Sequence, residues 1–167
     1  MKRTSLFFLI VFLLFAACQQ TREPVSVDLE VEKVAINEVM SKFDSASLNK
    51  DLATMEIYMT EDLTGCGSDP DELWEKNELM GIWKQMFDSG ASELDFFGDR
   101  YIKVAPDGKS ATVFEHYFMP AFSEVLPFRN SYHMLKTKDG WKIFFFNCAI
   151  IPENEDLPAM NELLSAE

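Results

Sequence analysis

Over about residues 28–49, Val31, Val34, Ala35, Val39, Phe43 and Ala46 recur at three- and four-residue steps between charged positions. That period predicts an amphipathic helix with one buried stripe. A shorter helix is predicted over 51–59, a strand over 62–67, and a helical pair over 70–88 carrying Leu73, Trp74, Leu79, Ile82, Trp83 and Phe87. After Glu93 the pattern changes to strands, over 94–105 and 110–119 with Pro106-Asp107-Gly108 between them, and then from about 127 onward. The last two strands form a hairpin through Lys138-Asp139-Gly140, because Asp-Gly between two apolar runs supplies the positive φ that closes a tight turn. The residues beyond Pro152 are polar, with a final helical turn predicted near 158–164. Helices first and a meander afterwards predict an α+β fold in one domain, with N-terminal helices packed against a curved antiparallel sheet.

A three-residue turn places Thr137 opposite Trp141, Leu135 opposite Ile143, His133 opposite Phe145 and Ser131 opposite Asn147. This set shares one face, and Tyr132, Met134, Phe144, Phe146 and Cys148 share the other. Both faces are apolar, so each requires a cover. The chain's own helices cover one, and a second copy is expected on the other, which predicts a homodimer. The His133 face opposes the one bearing Lys142 and is the expected wall of any internal pocket.

Lys2 and Arg3 precede an apolar run from Leu6 to Ala17 that ends in small residues at Cys18, the layout of a secretory signal. The run is too short to span a bilayer, which takes about twenty residues. Leu14-Phe15-Ala16-Ala17-Cys18 resembles the lipobox of bacterial lipoproteins. That resemblance implies cleavage after residue 17, lipidation of Cys18, a tether over 18–27 and a domain over 28–167. The expected location is the cell envelope, lipid-anchored to a membrane and facing the periplasm. The net charge of −13 repels phosphate backbones and anionic headgroups, which excludes nucleic acid as a partner and leaves the lipid as the hold on the membrane. Cys66 and Cys148 would then be the remaining cysteines, and the sequence is consistent either with a disulfide or with two buried thiols.

Two motifs narrow the fold. Gly67-Ser68-Asp69-Pro70-Asp71-Glu72-Leu73-Trp74 is similar to a turn of the SnoaL-like branch of the nuclear transport factor 2-like superfamily, as is Asp139-Gly140-Trp141-Lys142-Ile143 followed by Asn147 and Asn154-Glu155. The resemblance implies a cone-like sheet with a pocket at its mouth, in a superfamily that includes isomerases, dehydratases, cyclases and proteins without catalysis. Asp69, Pro70 and Glu72 read first as the cap, first turn and N3 position of a helix.

Glu115 and Tyr117 share a face of their strand, and Glu115 matches an acidic position of the family. With His133 it forms the candidate catalytic pair, an acid and a base within an aromatic pocket. Alternatively Arg129 pairs with Glu115 and makes the carboxylate structural. Trp83, Tyr117, Arg129, Phe145 and Asn147 are the candidate ligand-binding residues. His116 and His133 lack metal-ligand spacing, and no glycine-rich phosphate loop is present, so neither metal nor cofactor is expected. The expected function is binding of a small apolar or amphipathic molecule without catalysis. The alternatives are an isomerase or dehydratase using Glu115 and His133, and a purely structural or partner-binding module.

Overall fold

A computed structural model of the chain describes residues 27–165; the expected signal segment, Cys18 and most of the expected tether lie outside the described residues. Helix α1 (Leu29–Leu48) begins where the Asp28 carboxylate accepts from the amides of Glu30 and Val31, at 3.1 and 3.3 Å. Its buried stripe is Ile36, Met40, Phe43 and Ala46, while Val31 and Val34 face solvent at 60 and 61% exposure. The buried stripe is therefore rotated from expectation at its N-terminal end, with Ile36 in the core in place of Val31 and Val34. Glu32 ties that end to the sheet by accepting from the indole N–H of Trp141 at 2.8 Å and from Lys136 at 2.5 Å.

Helix α2 (Leu52–Ile57) leads into strand β1 (Met59–Cys66). The predicted helical pair over 70–88 resolves differently. Asp69 and Glu72 close a turn, with the Asp69 amide donating to Glu72 Oε2 at 3.0 Å, and a short strand β2 (Leu73–Glu75) follows. Helix α3 (Lys76–Ser89) starts only there, capped by Glu78 reaching back to the Glu75 amide at 3.2 Å and ended by Gly90 at φ 81°. The Glu75–Glu78 cap takes the helix start from the Asp69–Glu72 pattern, which Gly67 instead folds into a turn, its amide donating to the Glu72 carbonyl at 3.0 Å.

Strands β3 (Asp95–Val104), β4 (Ser110–Met119), β5 (Ser123–Thr137) and β6 (Gly140–Ile150) complete a six-stranded sheet in the order β2-β1-β6-β5-β4-β3. The meander is antiparallel as expected, but β1 runs parallel to β6, so the sheet is mixed. Helix α4 (Leu157–Leu164) follows with no buried residue. The main core joins Ile36 and Met40 of α1, Leu63 of β1, Leu79 of α3, and Val113, Met134 and Ile143 of the sheet, all at most 2% exposed.

The hairpin register differs from expectation at its turn. Thr137 pairs with Gly140, leaving a two-residue loop, and Met134 pairs with Ile143. Phe144 then bulges out unpaired, after which His133 faces Phe145 and Ser131 faces Asn147, as expected. The bulge switches the parity of β6: Trp141 and Ile143 point into the core before it, and Phe146 and Cys148 after it. Tyr132 and Met134 point inward with them, at 3 and 0% exposure, while His133 packs edge-on to Phe144 on the outer face. The inner and outer faces are thus reversed from expectation along β5 and on β6 beyond the bulge, while Trp141 and Ile143 keep the expected inner side. Replacing Phe146 by Ala should lower unfolding stability by about 3–5 kcal/mol in urea titration, and replacing Phe144 by Ala should cost under about 1.5 kcal/mol. The opposite ranking would relocate the bulge.

Candidate functional site

Alternation along β4 buries Ala111, Val113, Glu115, Tyr117 and Met119, so Glu115 and Tyr117 share the concave face. Above that face lies a cavity of about 220 Å³ between the sheet, α1, α3 and the turn at 67–74. Trp83 and Phe146 meet edge to face in its wall, with ring centroids 5.8 Å apart, and Phe43 packs likewise on Trp83 at 6.1 Å. Trp74 and Phe122 contribute further aromatic wall.

Polar groups converge at the floor. The Tyr117 hydroxyl donates to Asn130 Oδ1 at 2.9 Å, and Asn130 Nδ2 donates to the Tyr132 oxygen at 2.9 Å. Cys148 Sγ lies 3.1 Å from the same Tyr117 oxygen. Burial raises the pKa of both phenols far beyond the usual range and pushes the Cys148 thiol up, so all three stay neutral at physiological pH. Neutral Cys148 is a poor nucleophile, and Cys66 and Cys148 are free thiols.

Beside this floor two carboxylates share one guanidinium. Arg100 pairs with Asp44 on α1 and with Glu115 on β4, and it donates to Asn37 Oδ1 at 2.6 Å and Ser41 Oγ at 3.2 Å. Among the described residues, Asp44 Oδ1 and Glu115 Oε2 are buried without another partner. A proton on Asp44 brings the cluster of two carboxylates and one guanidinium to neutrality. Burial first, and then the neighbouring Glu115 charge, push the Asp44 carboxyl up to about 7.

Of the residues expected at the site, Glu115, Tyr117 and Trp83 come together around the cavity and its floor. His133, Phe145 and Asn147 do not line it: the Phe144 bulge turns Phe145 and Asn147 to the outer face, and His133 alternates with the inward Tyr132 and Met134. His133 and Glu115 therefore lie on opposite faces and make no pair. Arg129 is also on the outer face, where its Nε donates to His116 Nε2 at 2.9 Å; the arginine that meets Glu115 is Arg100. Sequence reasoning missed Asp44, Asn130 and Cys148. Asp44 carried a readable signal, an acidic residue four positions after buried Met40 and beside Phe43 on the apolar stripe. Among the described residues no group of His, Cys, Asp and Glu is placed to hold a metal ion.

The model of the SnoaL-like domain matches residues 36–146, most of the chain. The chain belongs to the SnoaL-like domain family. Solved structures with the same fold include a domain of unknown function with a cystatin-like fold from Nostoc punctiforme, with 15% identity over 81% of this chain and 86% of that one and a TM-score of 0.65. A protein of unknown function from Pectobacterium atrosepticum is 13% identical, covers 78% and 98%, and has a TM-score of 0.62. An NTF2-like protein of unknown function from Shewanella baltica is 18% identical over 76% and 99%, with a TM-score of 0.59. At these identities the likeness concerns the fold of this SnoaL-like chain alone. No curated protein matches the sequence.

The raised Asp44 pKa sets a sign for stability against pH. The carboxyl titrates near 3.8 when unfolded and near 7 in the fold. Its contribution is fully present below the lower value and is lost as pH rises through the upper one, at up to about 1.4 kcal/mol per unit. Raising pH from 5 to 8 should therefore lower the urea midpoint of the wild type more than that of Asp44→Asn, whose amide keeps an N–H where the acid held its proton. Parallel pH profiles for the two proteins would show that Asp44 folds in its ionised form.

Proposed function

We propose that this SnoaL-like protein binds a small molecule with an apolar body and one polar end, held in the cavity above β4, β5 and β6 without chemical change. The observation that carries the reading is an aromatic cavity of about 220 Å³ whose floor presents neutral hydrogen-bonding groups, Tyr117, Asn130 and Tyr132. That volume lies below the roughly 300–1,000 Å³ of drug-sized sites, which limits the ligand to about one ring or a short chain.

Its placement in the envelope, lipid-anchored and periplasm-facing, rests on the basic, apolar and small-residue order ending at Cys18. Homodimerisation through the outer sheet face is supported by an exposed aromatic ladder, in which Phe97 stacks on Phe118 at 5.1 Å and Tyr101 on Phe114 at 5.8 Å.

A second reading is acid–base catalysis of the isomerase or dehydratase type. It is favoured by Asp44, a carboxyl in the cavity wall whose pKa of about 7 lets it give or take a proton at neutral pH. In that reading Asp44 takes the place expected of His133.

Native mass spectrometry of the full chain, taken gently from its own host in mild detergent, should show a dimer carrying one small molecule per chain. Protein that is empty under those conditions would count against the binding reading, and a monomer mass would sink the dimer. Returned to fresh protein, the released molecule should keep its mass; a change of mass that Asp44→Asn abolishes would establish the second reading instead. Replacing Cys18 with Ala should move the protein from the membrane fraction to the soluble one, and retention on membranes would refute the lipid anchor.

A further inference from the structure

Ten of the side chains lining the cavity are aromatic, two are carboxylates, Asp44 and Glu72, and among the described residues none is Lys, Arg or His. Arg100 reaches the carboxylates from the side of β3 and is not part of the lining. A wall of ring faces with anionic groups and no cation attracts positive charge and repels negative charge. An anionic ligand would lose its hydration and find only neutral phenols and an amide as partners, against two carboxylates. An uncharged apolar ligand would fill the space but leave the electrostatic bias unused.

Resting on the reading of this cavity as a binding site, we infer that its ligand is an apolar ammonium ion, an amine or quaternary ammonium, with its charged head among the rings between Asp44 and Glu72. Glu72 sits on the 67–74 turn that forms one side of the cavity, with one oxygen anchored by the Asp69 amide at 3.0 Å. Asp44 lies on the α1 side of the floor. The charged and titratable groups facing it are Arg100 from β3, Glu115 from β4 and Tyr132 from β5. With Asp44 protonated beside the Arg100–Glu115 pair the floor is neutral, and once that proton leaves it carries one negative charge. Cation binding therefore displaces the proton, and affinity rises with pH through neutrality.

The test uses benzyltrimethylammonium, whose charge does not titrate, its uncharged carbon isostere neopentylbenzene, and the anion benzylsulfonate. Each is titrated into the full chain in mild detergent, with protein-free micelles as the partition blank and quenching of tryptophan fluorescence as the readout, since Trp74 and Trp83 line the cavity. At pH 8 the cation should bind about tenfold or more tighter than the isostere, with no saturable binding of the anion. The ratio of cation to isostere affinity should fall several-fold at pH 6. Glu72→Gln should lower that ratio at both pH values and keep its pH dependence, while Asp44→Asn should remove the pH dependence. Glu72 is on a surface turn, so its variant serves if Asp44→Asn fails to fold. Equal binding of cation and isostere, or preference for the isostere or the anion, overturns the ammonium inference and leaves the cavity as a binding site. Binding of none of the three overturns both.

Discussion

Arg100 is the constraint on which the molecule turns. A guanidinium that is mostly buried must spend its donors on fixed acceptors, and this one reaches Asn37, Ser41 and Asp44 on α1 as well as Glu115 on β4. Those contacts tie the first helix to the far edge of the sheet across more than fifty residues of chain. They also require an irregular β3: Phe97 pairs with His116 and Tyr101 with Phe114, so Gly98, Asp99 and Arg100 stand opposite Glu115 alone. Gly98, at φ 69°, supplies the turn that this bulge needs, and Arg100 is thereby aimed at the carboxylates. Without the bulge, Arg100 would be one more strand residue facing a single neighbour, and two buried carboxylates would have no counter-charge.

The cluster is one cation short of full pairing, which gives the site its character. Two carboxylates and one guanidinium cannot all be ionised at low cost in a buried place, so Asp44 holds its proton up to about neutral pH. Asp44 is the natural holder, because it is partly walled by the cavity and its free oxygen has no other donor. Glu115, at 4% exposure, stays fixed to Arg100 by the sheet's own pleat. Nearby, Tyr117, Asn130 and Tyr132 satisfy one another, so the floor is polar without being charged.

Much of the architecture was legible from period alone. The long first helix, the meander and the Asp-Gly hairpin followed from apolar spacing and turn chemistry, and the pairs His133–Phe145 and Ser131–Asn147 were read correctly. What failed was the side each pair faces. A two-residue turn combined with one bulged residue restores the same pairs as a three-residue turn without a bulge, yet it exchanges inside for outside on β6 between Ile143 and Phe146. Alternation cannot distinguish these cases when both faces are apolar, as Phe144, Phe145 and Phe146 are in succession. The turn at Asp69-Pro70 misled for a related reason. A cap, a proline and an N3 glutamate are local signals, and the competing Glu75–Glu78 cap, fixed by packing of Leu79 and the burial of Lys76 against Glu56 and Glu61, won through contacts distant in sequence.

The site was less legible than the fold because its decisive residues are partners, and partnership across elements leaves no local trace. Glu115 was visible as an acidic residue on an alternating strand, but its arginine could have been Arg129, fourteen positions on, or Arg100 on the preceding strand, and only the three-dimensional bulge selects Arg100. Asp44 offered more. A carboxylate four residues after a buried methionine and next to a buried phenylalanine has to be compensated somewhere in the fold. The count of buried acids against available bases among the described residues then limits what the neighbouring cavity can accept: once Arg100 is committed behind the carboxylates, the side of the cluster that meets the cavity is left for a positive charge to complete.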